Sequence, residues 1–149
     1  PEKINQTLTK LKSAEKELEK LRREKLQAEA AKLIETAQTI GQVRVLAHHA
    51  GELDANGVRS LALDLRSRFG SEPAVVAVSG VANNRPVVIV ATNEGAREAG
   101  VKAGALVRVA AGVLGGGGGG KDDIAQGGGQ DATKVNEALD TIRTTIAQA

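Results

Sequence analysis

The chain contains no cysteine, methionine, tryptophan or tyrosine, and Phe69 is its single aromatic residue. Each absence excludes something. Without cysteine there is no disulfide framework, no zinc ribbon and no thiol nucleophile. Without aromatic platforms a nucleic-acid site cannot stack unpaired bases in the usual way. Any core must be built from Leu, Ile, Val and Ala. No stretch approaches the roughly 18 apolar residues of a membrane span, and a start rich in Glu and Lys is not that of a signal peptide. The expectation is a cytoplasmic protein with no membrane partner. An excess of one charge sign is also missing, with 20 basic against 18 acidic residues. Residues 1–36 hold nine basic and seven acidic groups, and 37–149 hold eleven of each. The broad electrostatic footprint of a nonspecific DNA binder is therefore absent.

What is present suits one small domain with an appendage: 149 residues, 26% charged and 41% hydrophobic. Pro1 fits a natural start after removal of an initiator Met, or a cut through a longer protein, and the pattern that follows favours a cut. Residues 2–36 contain no Pro or Gly and are rich in Glu, Lys, Leu, Ala and Gln, the composition of a long helix. Ile4, Leu11 and Leu18 fall on one heptad position, with Thr7, Ala14 and Leu21 as companions, until Lys25 takes the next slot. Leu8, Leu26 and Leu33 lie off that seam. The face drifts, as expected of a short hairpin or limited self-association through the arm; packing on its own domain is the simpler alternative.

Gln38 to Gln42 marks the expected boundary, giving an arm over 1–40 and a globular domain over 41–149. Val43–Ala47 reads as a strand. Asp54 or Asn56 can cap a helix whose buried face is Val58, Leu61, Ala62, Leu65 and Phe69, stopped by Gly70. Ala74–Val81 and Val87–Ala91 read as strands covered on both faces, joined through Asn83-Asn84, since Asn tolerates positive φ. Glu94–Ala99 is a short helix and Lys102–Leu114 a longer one. Val135, Ala138, Leu139, Ile142 and Ile146 mark a last one-faced helix. The fold class expected is mixed α/β, or α+β: a long helical, coiled-coil-like arm, then a small mixed sheet with packed helices and a glycine-rich loop.

Residues 115–130 read GGGGGGKDDIAQGGGQ. Six consecutive glycines carry a large entropy cost on ordering. Three roles justify it: a linker, a phosphate cradle, or a surface that another backbone approaches closely. The insert Lys-Asp-Asp-Ile-Ala-Gln speaks against a linker. Gly115 to Gly120 and Lys121 match most of the P-loop pattern, but Asp122 stands where Ser or Thr must hold Mg²⁺, and a helix precedes the segment where a strand is required. An NTPase is not expected.

The run closely resembles the signature near the end of alanyl-tRNA synthetases, G-x-G-G-G-R/K-P-D-M/I-A-Q-A/G-G. That signature belongs to a C-terminal domain of DHHA1 type, shared with phosphodiesterases and exonucleases that carry an Asp-His-His catalytic domain. The likeness covers essentially residues 43–149, and the preceding arm is similar to the helical segment the family places there. The resemblance implies a non-catalytic module that docks on the elbow of tRNA(Ala) and serves aminoacylation and editing by the remaining synthetase domains. The implied contacts are Gly115, Gly116, Gly117, Gly118, Gly119, Gly120, Lys121, Gln126, Gly127, Gly128, Gly129 and Lys134. It implies no cofactor for this region, and ATP and zinc for the parent enzyme. Asp122 replaces the family's usual Pro, which is expected to loosen the turn and to set a negative charge beside Lys121. The glycines can let RNA come close and donate amides to phosphates.

Other chemistry is thin. His48 and His49 are strand neighbours and point to opposite faces, so they are expected not to chelate one ion. Asp122-Asp123 and Glu52 with Asp54 read as solvated loop charge. Ser79 lacks the glycine two positions earlier that a nucleophile elbow needs. Two alternatives remain: the nucleotide- or single-strand-binding domain of a phosphodiesterase or exonuclease, and a purely structural oligomerisation module, including a homodimer through the arm.

Overall fold

A computed structural model describes residues 2–148, with the side chains of residues 12–22, 24, 25 and 28–148. The chain divides into two compact units, Pro1–Lys32 and Leu33–Ala149. The first is made of residues of helix α1 (Glu2–Glu35). The seam residues Leu18 and Leu21 are 49% and 61% exposed. The expected seam side chains of Ile4, Thr7 and Leu11, and those of Leu8 and Leu26, lie outside the described residues. Among the described residues, no helix is long and apolar enough to cross a membrane.

The second unit is built on a six-stranded mixed sheet in the order β1-β2-β3-β4-β6-β5. The expected boundary segment is itself part of it. β1 (Gln38–Ile40) pairs antiparallel with β2 (Val43–Glu52) across a two-residue turn, with Gly41 at φ 63°. β2 runs past Ala47, and its register against β3 breaks between His49 and Glu52. Helix α2 (Ala55–Arg68) is capped by Asp54, whose carboxylate accepts from the Gly57 amide at 2.8 Å; this acidic residue is a cap, not free loop charge. α2 carries the chain to β3 (Ala74–Ala82), which lies parallel to β2. Asn83 and Asn84, at φ 54° and 64°, turn it into the antiparallel β4 (Arg85–Thr92), as the sequence predicts for a two-residue hairpin.

Helices α3 (Glu94–Glu98) and α4 (Ala103–Val113) then return along the sheet. The expected glycine loop is the main correction. Gly118–Gly120 form β5 and Ile124–Gly128 form β6, an antiparallel hairpin in which β6 pairs with β4 and β5 is the outer edge. A 3-10 turn (Ala132–Lys134) leads into α5 (Val135–Gln148), which buries Val135, Ala138, Leu139, Ile142 and Ile146 as predicted.

The two faces of the sheet are covered unequally. Val43, Val45, Val75, Ala77, Val88, Val90 and Ala125 share one face and form a single core with α4 and α5. α5 lies over β1, β2 and β3, and α4 over β4, β5 and β6, so this face is roofed from edge to edge. On the other face, α2 alone packs on β3 and β4 with Val58, Ala62 and Leu65 fully buried. That leaves the β5–β6 end of this face without a helix.

Candidate nucleic-acid interface

The glycine segment begins as a helix stop. Gly115 takes φ 80° just past the α4 cap at Leu114, and its amide donates to the Gly112 carbonyl while Gly116 donates to Ala111. This paired pattern is a Schellman motif, which favours glycine at the left-handed position. Several other glycines are set by close packing. A Cβ on Gly116 would lie against the Gly128 carbonyl, and one on Gly129 against that of Leu114. A Cβ on Gly118 or Gly127 would stand 2.8 Å from Val107 Cγ1, because α4 rests directly on this hairpin. Gly120 would meet Ala125 Cα at 2.7 Å.

Gly117 and Gly119 differ. A Cβ on either would meet nothing within 4 Å, and neither has positive φ. Both alternate onto the face that α2 leaves uncovered, the face of Gln126 on β6 and of Arg85, Val87 and Ile89 on β4. Here no packing reason requires glycine. The ladder adds a second property. The Gly117–Gly128 and Lys121–Ile124 pairs are hydrogen-bonded, through Gly128 N to Gly117 O at 3.2 Å and Lys121 N to Ile124 O at 3.0 Å. Alternation along an antiparallel ladder then turns the amides of Gly118 and Gly120 outward, away from β6.

Two clefts open on this face. One, of about 370 Å³, is lined by Arg59, Ile89, Gly119 to Lys121 and Asp123 to Gln126. The other, of about 550 Å³, is lined by Ala55, Ala82, Arg85 to Val87, Gly115 to Gly117 and Gln126 to Gln130. Gln126 borders both. The structure thus gathers the glycines, Lys121 and Gln126 that the sequence singles out. Lys134, in the 3-10 turn before α5, lines neither cleft. Sequence reasoning missed Arg59 and Arg85. Nothing in their local pattern marks them, because β4 and α2 bring them to the glycines only through the sheet.

The turn that presents Lys121 is not loose, contrary to the expectation from Asp122 in place of Pro. The Asp122 carbonyl accepts from the buried Thr92 hydroxyl and from the Ala103 amide at 3.0 Å. The Asp123 carbonyl accepts from the Thr92 amide at 2.9 Å and from Arg66 Nη1 at 3.1 Å. β4, α4 and α2 therefore hold two consecutive carbonyls, and this does the work of a rigid ring. Replacing Thr92 with Val removes one of these bonds and keeps the side-chain shape. The expected loss is about 0.5–1.5 kcal/mol, read as a lower urea midpoint at unchanged slope.

The remaining candidates fall elsewhere. His48 is half-buried, and His49 is exposed with Nδ1 2.9 Å from the Ser79 hydroxyl. Among the described residues, no group of three or more His, Cys, Asp or Glu could hold a metal ion.

Comparison with known proteins gives the family and the fold. Residues 42–148 match the DHHA1 domain. Over 148 residues the chain is 62% identical to an alanine–tRNA ligase of Paenarthrobacter aurescens, covering 99% of this chain and 17% of that protein. The chain thus spans about a sixth of the length of the curated relatives it matches. The crystal structure of the C-Ala domain from the Aquifex aeolicus alanyl-tRNA synthetase superposes with a TM-score of 0.68 at 26% identity, over 74% of this chain and 97% of that one. RecJ from Thermus thermophilus shares the fold alone, at 17% identity and a TM-score of 0.56 over 87% of this chain and 18% of that one.

Proposed function

This chain belongs to the DHHA1 domain family, and on that premise we propose that it is the non-catalytic tRNA-binding C-terminal module of an alanyl-tRNA synthetase. It docks on the elbow of tRNA(Ala) and holds the tRNA for aminoacylation and editing by the other synthetase domains. One observation carries this reading: the sheet face at Gly117 and Gly119 is open, rigidly mounted and bordered by basic side chains. An elbow presents splayed bases and closely spaced phosphates. Bare backbone can approach such a surface, and outward amides at Gly118 and Gly120 suit phosphate oxygens. With Phe69 buried in the core, bases rest on peptide planes and aliphatic groups, so recognition is of shape more than of sequence. Mobility-shift titration with whole tRNA, against a minihelix of the acceptor and T arms only, tests this. Whole tRNA should bind and the minihelix should bind far more weakly; equal binding would remove the elbow from the account.

Two further outcomes follow from the same reading. The isolated chain should show no alanylation of tRNA and no hydrolysis of mischarged tRNA; measurable alanylation by the purified chain contradicts the assignment. The arm, in turn, supports self-association through its heptad seam. Burying a leucine is worth roughly 1.5–3 kcal/mol, so Leu18→Glu with Leu21→Glu should convert a dimer to monomer in analytical ultracentrifugation. The far-ultraviolet spectrum of the sheet unit should be retained. A dimer that persists in this double variant excludes the seam as its interface.

A further inference from the structure

The geometry points to Arg59 and Arg85 as a two-phosphate clamp, gripping two separate phosphates of one RNA strand laid over the open face. This inference rests on the tRNA-binding reading and adds residues that the glycine signature does not contain.

The basic side chains of the sheet unit divide by what they already do. Arg44 stacks on Phe69 and faces Glu72, Arg66 holds the Asp123 carbonyl, and Arg68 and Arg143 pair with acids on their own helices. Among the described residues, Arg59, Arg85, Arg97 and Arg108 make no ion pair and no side-chain hydrogen bond, and of these Arg59 and Arg85, both exposed, border the open face. Each lines a different cleft. In the larger cleft Arg85 is the only charged residue; its other walls are backbone, small apolar groups and the amide side chains of Gln126 and Gln130. The smaller one is lined by Arg59, Lys121 and Asp123 among its charged residues.

The two clefts are set apart along β4. Ile89 borders the Arg59 cleft and lies four residues along β4 from Arg85, roughly 13 Å at a strand's rise of about 3.3 Å per residue. Guanidinium groups in two separate clefts suit successive phosphates of one continuous backbone. Guanidinium suits the task, because its planar fork takes two phosphate oxygens at once and sheds its hydration more readily than ammonium. Between the two anchors, Gln126 and the bare strand at Gly119 leave room for ribose and base.

The test is a tRNA titration of the whole chain at several salt concentrations, with R59Q, R85Q and the double variant. Arg97 and Arg108, on α3 and α4, line neither cleft and serve as R97Q and R108Q controls. Each clamp variant should weaken binding roughly tenfold and lower the slope of log K against log salt by about 0.7–0.9. The double variant should lose about twice that slope, and the controls none. R85K should keep the slope while losing affinity, because charge remains and the fork does not. If the parent binds tRNA and the double variant keeps its affinity and slope, the clamp is wrong and the tRNA-binding reading stands. If the controls lose as much slope as the clamp variants, the attraction is diffuse and the clamp is equally wrong. A parent chain that binds no tRNA overturns both.

Discussion

Gly118→Val should clearly destabilise the fold. A Cβ at this position would press on Gly127 Cα and stand 2.7 Å from the Gln126 carbonyl oxygen and 2.8 Å from Val107 Cγ1. Two of these neighbours are strand backbone that cannot rotate away, and the third belongs to a helix whose inner face is fully buried. Either α4 lifts, opening the core around Val107, Ala110 and Ala111, or β5 detaches from β6. Overpacking of this kind costs about 1–3 kcal/mol and sometimes more. At roughly 2–4 °C per kcal/mol or above for a chain of this size, the melting temperature should fall by about 5–10 °C. Gly127→Val should behave alike, since its Cβ would meet Val107 and Ala111 at 2.8 and 3.1 Å. Thermal denaturation followed by circular dichroism reads the effect; an unchanged midpoint would mean that α4 does not rest on the hairpin.

The same substitution one residue along should do the opposite to stability and the damage to binding. Gly119→Val places its side chain in open space on the α2 side of the sheet, at a strand position where Val is favoured over Gly. Restricting the unfolded chain adds a small stabilisation, so the melting temperature should hold or rise slightly. Yet Gly119 borders the Arg59 cleft, and an isopropyl group there keeps RNA backbone from reaching the outward amides of β5. Affinity for tRNA should fall at least tenfold, with Gly117→Val doing the same at the Arg85 cleft. Lys121→Ala should act more mildly, flattening the salt dependence by about 0.7–0.9. Full tRNA affinity in Gly119→Val would assign the open face to some other purpose.

The contrast between Gly118 and Gly119 also shows where sequence reading stops. Elements with a side-chain period were legible. The face of α2 through Val58, Ala62 and Leu65, the face of α5 through Leu139 and Ile142, and the Asn83-Asn84 hairpin all stand as expected. A glycine run has no side chains to alternate and low strand propensity, so β5 and β6 left no periodic trace. β1 was hidden for a different reason: three residues before a glycine turn are too short to show alternation. The glycine signature located the candidate site, but gave every glycine one role. Only the stacking of α4 separates glycines required by packing from Gly117 and Gly119. Arg59 and Arg85 were beyond reach in sequence, since their nearness to the glycines is made by β4 pairing with β6.

The most direct test is a backbone-amide chemical-shift titration of the chain with tRNA(Ala). Shifts should concentrate at Gly117 to Lys121 and at Gln126, spread to Arg59 and Arg85, and spare the roofed face under α4 and α5. Shifts confined to α1, or none on the β5–β6 hairpin at saturating tRNA, would contradict it.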